Sequence, residues 1–323
     1  MENNRPRTTE FDDLDRSLIR ELDIGPRQGY QQLADKLNTS RNTVRRRLHR
    51  LLHENMVTFV TLTSPTAIGY QTHTTMAMTI QPGEANTVAT KLASFSNVTH
   101  LMTTTGRYDI IAAALFPDLE SMLDFIDSQL GSVPNILSIE LIILVNWMKF
   151  CLNPLTDTNH AFPVVPKPHS LDALDLSIIR ELETKPDQTN QDLAAKLDIS
   201  RPTIKKRVRS LLDDDIVRIA TLVNPAIIGF HVLAVLLFRV RPGTIRSVAA
   251  QLTALNEVSN LIITAGSHDM IAYANFRDSR HMSDFINDRA IRISGVIRVE
   301  SMIVHSTKKV VFSMLVQGLG PEI

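Results

Sequence analysis

The sequence has few residues that could cross-link the chain or anchor it in a membrane. Its 323 residues include one cysteine, Cys151, so no disulfide can form within the chain and a reducing compartment is favoured. No apolar run reaches the roughly 18 residues of a membrane span, since the best candidate, residues 136–148, is interrupted by polar side chains. Residues 1–10 lack the apolar centre of a signal peptide. We therefore expect a soluble, cytoplasmic protein.

The chain also lacks a net charge. Its 34 Lys+Arg balance 34 Asp+Glu, and 44% of its residues are hydrophobic, which excludes disorder as the main state. At about 150 residues per domain, the length allows about two medium domains or several small ones. The ten histidines show no metal-ligand spacing. We predict no metal site and no cofactor.

The strongest internal signal is a duplication. Shifting the chain against itself by 160 residues aligns residues 14–149 with residues 174–309 without a gap, and about a third of the positions are identical. The pattern Leu-Asp-x-Ser-x-Ile-Arg-Glu-Leu begins at both Leu14 and Leu174. This period is too long for a solenoid, so each copy is predicted to hold complete domains. Residues 151–170, which are rich in proline, are interpreted as a semi-rigid linker.

Positive charge is concentrated at two equivalent places. Residues 40–51 hold five arginines and no acid, and residues 200–212 hold five lysines or arginines and again no acid. Residues 65–150, by contrast, hold three basic and seven acidic residues. Such a local excess indicates a polyanion bound at a specific site rather than a generally basic surface.

Each basic stretch falls on the third of three predicted helices. Leu14, Leu18 and Leu22 recur at helical spacing, residues 30–37 form a second short amphipathic helix, and Ser40 is placed to cap a third. A tight turn before a basic third helix indicates a helix-turn-helix, whose third helix enters the major groove of DNA. The β-rich segments 57–63 and 217–223 that follow are predicted to supply a wing and then a strand.

The outward residues of the two third helices are the predicted contacts with double-stranded DNA. Their cationic groups would meet phosphates, which set affinity, and guanine edges, which set sequence preference. The alternative is that the charges form only a solvated helix face, but the acid-free stretch occurs twice on the helix that the motif requires. The predicted DNA-binding residues are Ser40, Arg41, Asn42, Arg45, Arg46, His49, Arg50, Ser200, Arg201, Lys205, Lys206 and Arg209.

These motifs resemble the DNA-binding domain of the Lrp/AsnC (feast/famine) transcriptional regulators. The resemblance rests on Gln-Leu-Ala at residues 32–34, on Ser40, and on Val-x-x-Arg-Leu-x-x-Leu at residues 44–51. The second copy has Asp-Leu-Ala, Ser200 and Ile-x-x-Arg-Val-x-x-Leu at the corresponding positions. The family usually has a glycine just before the wing, where this chain has Asn55 and Asp215. The resemblance implies a DNA-binding regulator of transcription.

The second part of each copy alternates in the order β, α, β, β, α, β. In the first copy these segments are residues 72–80, 84–95, 98–105, 109–116, 119–130 and 136–145, and in the second they are residues 232–240, 244–255, 258–264, 269–276, 280–289 and 296–304. The order predicts an α+β, ferredoxin-like sheet with two helices on one face. Its other, apolar face must pair with another sheet. The resemblance implies the family's effector-binding RAM domain, paired within the chain as a pseudo-dimer or between chains of a homo-oligomer.

The predicted architecture is thus two tandem copies of a winged helix-turn-helix domain followed by a ferredoxin-like domain. The predicted ranges are 1–64 and 171–224 for the two DNA-binding domains, 65–150 and 225–323 for the two effector and dimerisation domains, and 151–170 for the linker.

A Gly-x-x-Asp turn joins the two middle strands of each ferredoxin-like segment. The turn Gly106-Arg107-Tyr108-Asp109 matches the family's Gly-x-Tyr-Asp, and the second copy has Gly266-Ser267-His268-Asp269. The resemblance implies that these eight residues lie near the site of a small-molecule effector, an amino acid or a related metabolite. Backbone N–H groups and a carboxylate suit an amino acid's charged ends, although such a turn needs no ligand to explain it. The two sites need not bind the same molecule.

The main rival hypothesis is an enzyme. Sirohaem decarboxylases resemble paired Lrp/AsnC units, and one of their strands carries a histidine followed shortly by tyrosine and arginine. Here His100 is followed by Leu-Met-Thr-Thr-Thr, and the second copy has Asn260 at the equivalent position. The expected acid–base and propionate-binding groups are missing from this pattern, so we predict no catalytic residue. A third interpretation is an interaction protein whose helix-turn-helix copies are only structural.

Overall fold

Each copy begins with three helices. The computed structural model describes residues 11–26, 28–156, 158–162 and 170–318. The first copy holds α1 (Asp13–Ile24), α2 (Tyr30–Lys36) and α3 (Arg41–His53), and the second holds α6 (Ala173–Thr184), α7 (Asn190–Leu197) and α8 (Arg201–Asp213). No helix in these ranges is long and apolar enough to cross a membrane.

Side chains next to the first helical residue fix the starts of these helices. Asp12 and Asp15 form a reciprocal capping box on α1, and Asp172 and Asp175 form the same box on α6. The hydroxyl of Ser40 accepts a hydrogen bond from the backbone N–H of Thr43 at 3.0 Å, as the sequence predicts for α3. Such caps satisfy N–H groups that have no partner inside the helix.

The turn that follows each basic helix needs a left-handed residue. Asn55 after α3 has φ 53° and Asp215 after α8 has φ 56°. Asn and Asp adopt this conformation more readily than other residues with a side chain. The positions where the family usually has glycine therefore keep the same kind of backbone turn without one.

The two segments predicted to supply wings pair with each other. β1 (Val57–Thr63) and β6 (Val217–Val223) form a two-stranded antiparallel ribbon in which Val57 lies opposite Val223 and Thr63 lies opposite Val217. The ribbon stands where a wing followed by a strand was expected in each copy. It joins the two three-helix units directly.

The rest of each copy is a ferredoxin-like βαββαβ unit. The first contains β2 (Thr72–Ile80), α4 (Ala85–Ala93), β3 (Val98–Thr105), β4 (Ile110–Phe116), α5 (Leu119–Asp124) with a π-helical continuation (Phe125–Leu130), and β5 (Ile136–Phe150). The second contains β7 (Val232–Val240), α9 (Ile245–Thr253), β8 (Val258–Ala265), β9 (Met270–Phe276), α10 (Ser279–Asp284) with its π-helical continuation (Phe285–Ala290), and β10 (Val296–Val310).

The two four-stranded sheets join at both edges into one closed barrel. The strand order is β10-β3-β4-β2-β5-β8-β9-β7, with β7 returning to β10. β5 pairs with β2 through its first half and with β8 through its second half, where Trp147 lies opposite Ile262. β10 bridges β7 and β3 in the same way. Pairing of the sheets, which the sequence left open, therefore occurs within one chain.

Three apolar cores lie in and around the barrel, one inside it and one under each pair of outer helices. Helices α4 and α5 cover a core around Met76, Leu92 and Phe116, and α9 and α10 cover the equivalent core around Phe238 and Phe276. The third core lies between the two sheets, where residues of both copies meet. It includes Ala77, Ile111, Ile142, Val235, Leu237, Ile271 and Met302.

Much of the described part of the segment interpreted as a linker is packed against the rest of the chain. Leu155 joins the core of the first three-helix unit, and Phe162 packs on the ribbon. The main-chain N–H of His160 donates a 2.7 Å hydrogen bond to the carbonyl of Phe150. Residues 151–156 and 158–162 thus turn back onto the first copy. For these two stretches this corrects the expectation of a semi-rigid linker, which rested on proline content and on the near absence of periodicity. Three of the four prolines lie outside the described residues.

Candidate functional site

The outward face of α3 carries exposed cationic side chains. Val44, Leu48 and Leu51 are buried against α1 and α2, which fixes the direction of the opposite face. The cap residue Ser40 lies at the same exposed end of the helix. The exposed residues of this face are Arg41, Asn42, Arg45, Arg46 and His49.

The second copy presents a similar face with different chemistry. Ile204, Val208 and Leu211 are buried at the equivalent positions of α8. Ser200, Arg201, Lys205, Lys206 and Arg209 are exposed, and Arg209 forms a 3.2 Å ion pair with Asp213 one turn further on. Lysine point charges replace two of the planar guanidinium groups of α3, so the two faces differ in hydrogen-bonding geometry.

Arg50 differs from the other predicted DNA contacts because its guanidinium pairs with a buried carboxylate. Its guanidinium forms an ion pair with Asp15, which has no exposed surface, and Arg47 donates to the same carboxylate at 3.0 Å. Arg50 therefore anchors α3 to α1 and is only partly exposed. In the second copy Arg207 pairs with Asp175, while Ser210 stands where Arg50 does.

Each strand of the ribbon contacts the three-helix unit of the other copy. The hydroxyl of Thr63 on β1 donates a 2.6 Å hydrogen bond to the carboxylate of Glu183 on α6, and the hydroxyl of Thr61 donates one to the carbonyl of Leu182. Val223 of β6 packs in the core of the first three-helix unit. The two three-helix units that carry α3 and α8 are therefore connected through hydrogen bonds and packing between the copies.

The aspartates of the two Gly-x-x-Asp turns accept hydrogen bonds from backbone N–H groups of their own sheets. One carboxylate oxygen of Asp109 accepts a 2.8 Å hydrogen bond from the N–H of Ile80, and Asp269 accepts one of the same length from Val240. Gly106 and Gly266 have φ of 116° and 146°, which favours glycine. Each carboxylate therefore closes the end of its own sheet, and the expected contact of Asp109 and Asp269 with an effector stays a prediction.

The other turn residues meet between the copies in a polar cluster that also contains Glu140 and Glu300. The phenol of Tyr108 donates to the carboxylate of Glu140, and Nη1 of Arg107 donates to Glu300 at 3.2 Å. The ring nitrogens of His268 lie 3.7 Å from Glu140 and 3.6 Å from Glu300. Ser267 also contacts His268, with 2.8 Å between its hydroxyl and Nδ1. Six side chains from both copies therefore converge at this end of the barrel.

Burial and charge shift the acid–base behaviour of this cluster. Burial raises the pKa of Tyr108, and its hydrogen bond to Glu140 raises it further. Burial by itself raises the pKa of Glu300, but the hydrogen bond and positive charge of Arg107, together with His268 and Arg298, hold that pKa below its usual value. Glu300 is therefore an anion at neutral pH, facing cationic donors.

A cavity of about 240 Å³ lies at the opposite end of the barrel. His73, Thr75 and His100 line it from the first copy, and Tyr273 lines it from the second. Leu62 of the ribbon forms part of the same wall. Desolvation lowers the pKa of His73 and of His100 from 6.5 to about 4, so both rings are neutral at physiological pH.

The two glutamates and this cavity were not predicted from the sequence. Glu140 and Glu300 occupy equivalent positions of the duplication, in β5 and β10. The presence of an acid at both positions was a usable signal. The cavity had no comparable signal, because its residues come from both copies, the ribbon and the segments that follow β5 and β10.

Comparison with protein families assigns four segments of the chain. An AsnC-type helix-turn-helix domain matches residues 11–52, and a winged helix-turn-helix DNA-binding domain matches residues 171–218. The Lrp/AsnC ligand binding domain matches twice, at residues 75–150 and 233–311.

Curated relatives correspond to single copies. An uncharacterized HTH-type transcriptional regulator of Pyrococcus furiosus is 33% identical over 140 residues, which cover 43% of this chain and 95% of the relative. The HTH-type transcriptional regulator LrpA of Pyrococcus horikoshii is 30% identical over 124 residues, which cover 38% of this chain and 88% of the relative.

Solved structures with the same fold include one that spans the whole duplication. The siroheme decarboxylase NirDL superposes with a TM-score of 0.67 at 12% identity, covering 95% of this chain and 98% of that chain. AsnC of Escherichia coli superposes with a TM-score of 0.40 at 23% identity, covering 42% of this chain and 92% of that chain. The first likeness shows the shared two-copy architecture alone.

Proposed function

This chain belongs to the Lrp/AsnC family, and on that premise we propose that it is a DNA-binding transcriptional regulator whose affinity for its operator responds to a small molecule. The observation that carries the proposal is the pair of exposed basic faces on α3 and α8, held by one ribbon within one chain. Each face lies on the helix that enters the major groove in helix-turn-helix proteins.

The exposed residues have two proposed roles, which are contact with phosphates and contact with base edges. Arg41, Arg45 and Arg46 on α3, and Lys205 and Lys206 on α8, supply phosphate neutralisation, which dominates affinity. Arginines that reach the base edges read guanine through paired donors, whereas lysine offers a point charge. We leave Arg50 out of the proposed contacts because it pairs with buried Asp15.

Thermodynamic linkage between effector binding and DNA binding provides the regulatory step. A small molecule alters DNA affinity only if it binds more tightly to one arrangement of the recognition helices than to another. The barrel packs against the ribbon through a shared apolar cluster that includes Leu62, Phe150, Phe162 and Phe312. The barrel therefore contacts the ribbon that joins the two three-helix units.

We place an amino-acid effector at the polar cluster between the copies. Glu140 and Glu300 suit an ammonium group, and Arg107 suits a carboxylate. The side chains already pair with one another, so an effector would replace some of these contacts rather than enter an empty pocket. The cluster forms once per chain, since its members come from both copies.

The test of DNA binding is fluorescence anisotropy with fragments selected from genomic DNA. Replacing Arg45 and Arg46 by alanine is expected to weaken binding at least tenfold, and the Lys205→Ala, Lys206→Ala pair tests the second copy. The control removes the same charge from the outer helices of the barrel, as Arg246→Ala with Arg280→Ala, because both of these arginines are exposed and neither lies on a recognition helix. Equal loss in the control and in both test pairs would discard the recognition helices as readers.

The competing function is decarboxylation of sirohaem, favoured by the architecture shared with NirDL. Carboxylate side chains of such a substrate require cationic partners. The residues that line the 240 Å³ cavity within the described ranges include no lysine or arginine, which supports the regulator. Titrating the chain with sirohaem and recording the absorption spectrum separates the two: a saturable spectral shift followed by loss of carbon dioxide would establish the enzyme.

A further inference from the structure

The second ferredoxin-like unit carries exposed arginines that the first unit lacks. Five of them occur where β7 ends, where α9 begins and around the start of β10, and we call them the arginine cluster: Arg239, Arg241, Arg246, Arg292 and Arg298. At the equivalent positions of the first copy the side chains are uncharged, namely Thr79, Gln81, Asn86, Ser132 and Ser138. Since the first copy forms the same fold without these charges, the fold does not require them.

Contacts between strands and loops bring the arginine cluster together. Arg239 on β7 lies opposite Arg298 on β10, and the main-chain N–H of Arg241 donates a 2.7 Å hydrogen bond to the carbonyl of Gly295. Gly295 in turn lies against Thr244, the residue before α9. Like charges directly opposite each other on neighbouring strands destabilise a sheet, so this arrangement favours an anionic group close by.

Among the described residues, much of the charge of the arginine cluster has no acidic partner. Arg298 pairs with Glu300 at 3.0 Å, and Arg292 pairs with Asp288 at 2.8 Å. Glu300 is shared, because it also accepts from Arg107. The other three arginines of the cluster form no ion pair with a described residue. The cluster therefore offers several cationic groups to an acidic surface.

The first ferredoxin-like unit exposes a surface of the opposite charge on α5 and its π-helical continuation. Glu120, Asp124 and Asp127 are exposed there, and Leu119 and Leu123, one helical turn apart, are 58% and 56% exposed. We call these five residues the leucine–acid face. The equivalent positions of the second copy hold no leucine and no net charge, since they are Ser279, Arg280, Ser283, Asp284 and Asn287.

Exposed apolar side chains border the arginine cluster as well. Ile291 precedes Arg292 and is 39% exposed, and Ile297 precedes Arg298 and is 63% exposed. Protein interfaces commonly have an apolar centre with a polar rim. In such an interface the apolar contacts supply affinity, while complementary charges set the orientation and the rate of association. The arginine cluster and the leucine–acid face thus match each other in both respects.

The two surfaces of one chain cannot meet each other. Helix α5 packs on the sheet of the first copy and α9 packs on the sheet of the second, and the two sheets face each other across the inter-sheet core. The two helices therefore lie on opposite outer sides of the barrel. Contact between the arginine cluster and the leucine–acid face requires two chains.

We propose that the arginine cluster of one chain docks on the leucine–acid face of a second copy of the same chain. The contact is head-to-tail, so it builds a ring where the rotation between chains closes and an open chain of molecules where it does not. The phosphate backbone of DNA offers negative charge but little apolar surface to match Ile291 and Ile297, whereas the leucine–acid face offers both. The inference does not rest on the proposed regulatory function, because neither surface includes α3 or α8.

The test is sedimentation velocity of the full chain without DNA. The wild-type protein is expected to associate as its concentration rises at about 50 mM salt and to dissociate at about 500 mM salt, because salt screens exposed charges. Replacing Leu119 and Leu123 by serine, as in the second copy, is expected to weaken association at least tenfold. A wild-type protein that stays a single chain at every concentration and at both salt concentrations would overturn the proposal.

Two charge-reversal variants each keep one surface intact. The first carries Glu120→Lys with Asp127→Lys, and the second carries Arg241→Glu, Arg246→Glu and Arg292→Glu. Neither variant is expected to associate alone. An equimolar mixture is expected to form pairs of chains and nothing larger, because the mixture contains one working contact. Formation of these pairs also shows that both variants are folded.

The control is Lys205→Glu with Lys206→Glu, which reverses charge on α8 and is expected to associate as the wild type does. Loss of association in this control would assign the contact to the recognition helices and overturn the proposal. Association of either surface variant alone with wild-type affinity would also overturn it, as would an equimolar mixture of the two that remains single chains.

Discussion

Thr63 of the first copy and Glu183 of the second are joined by a buried 2.6 Å hydrogen bond from the threonine hydroxyl to the carboxylate. The contact links the ribbon to α6, and the same carboxylate accepts a 3.0 Å hydrogen bond from the N–H of Val316. One acid therefore holds the ribbon, the second three-helix unit and the segment after β10 together. In the first copy the equivalent acid is Asp23, which instead meets Thr156 and His160.

We predict that Glu183→Gln makes stability less dependent on pH. Burial raises the pKa of Glu183 above its usual 4.5, although its hydrogen bonds oppose the shift. A raised folded pKa means that its contribution is fully present below about pH 4.5 and is lost as pH rises through the folded value. The glutamine variant should match wild type near pH 4 and exceed its unfolding free energy at pH 7.5, as measured by urea denaturation. A wild-type advantage that grows with pH would contradict this.

Removing the charge of Asp15 should destabilise the first three-helix unit more than the same change at Asp175 destabilises the second. Asp15 is fully buried and pairs with Arg47 and Arg50, whereas in the second copy Ser210 replaces the second arginine. We expect Asp15→Asn to cost about 2–3 kcal/mol, because buried charge-assisted hydrogen bonds are lost. Asp175→Asn should cost less, because Arg207 is more exposed. Urea midpoints of the two variants make the comparison; equal losses would refute the stated role of Arg50.

The cavity histidines should make the fold weaken in mild acid. The pKa of His73 and of His100 falls from 6.5 to about 4 on folding, so their contribution is present above pH 6.5 and is lost as pH falls towards 4. Each shift corresponds to at most about 3 kcal/mol. The variant His73→Leu, His100→Asn, which carries the residues of the second copy, should show a flatter profile between these limits. Thermal unfolding at half-unit pH steps measures it, and an unchanged profile would exclude these rings as the cause.

How far the sequence predicted the fold is clearest at β5. Alternation of side chains predicted a strand over residues 136–145, but the strand runs to Phe150 because its second half pairs with β8 of the other copy. Local patterning reports which face of a strand is buried and does not report a partner more than a hundred residues away. The paired ribbon was missed for the same reason. Caps and basic faces were predictable, because they depend on neighbours within one helical turn.

The candidate sites were predictable to different degrees. The exposed residues of α3 and α8 follow from helical spacing, whereas the engagement of Arg50 depends on Asp15, which lies 35 residues away. The turns at Gly106 and Gly266 were located, but the use of Asp109 and Asp269 on their own sheets required the three-dimensional pairing of strands. Long-range contacts of this kind are fixed by tertiary packing.

An asymmetric operator is expected, because the recognition helices differ where they face DNA. Asn42 and His49 of α3 stand against Pro202 and Arg209 of α8. Helices that read one face of a duplex require half-sites about 10 base pairs apart. Replacing a selected operator by either of its two palindromic versions, in which one half-site occurs twice, should therefore weaken binding at least tenfold, since mismatched base pairs cost about 1–3 kcal/mol each. Affinity for both palindromic versions equal to that for the selected operator would show that the two copies read alike.

The most direct test of the central claim, that α3 and α8 of one chain grip one duplex, is the salt dependence of operator binding. If about eight phosphates are contacted, the logarithm of the affinity should fall against the logarithm of salt concentration with a slope near −7. The slope should become shallower by about 2 in the Arg45→Ala, Arg46→Ala pair and again in the Lys205→Ala, Lys206→Ala pair. The account predicts both reductions, with no change in Arg246→Ala, Arg280→Ala. A slope that neither recognition-helix pair alters would contradict it.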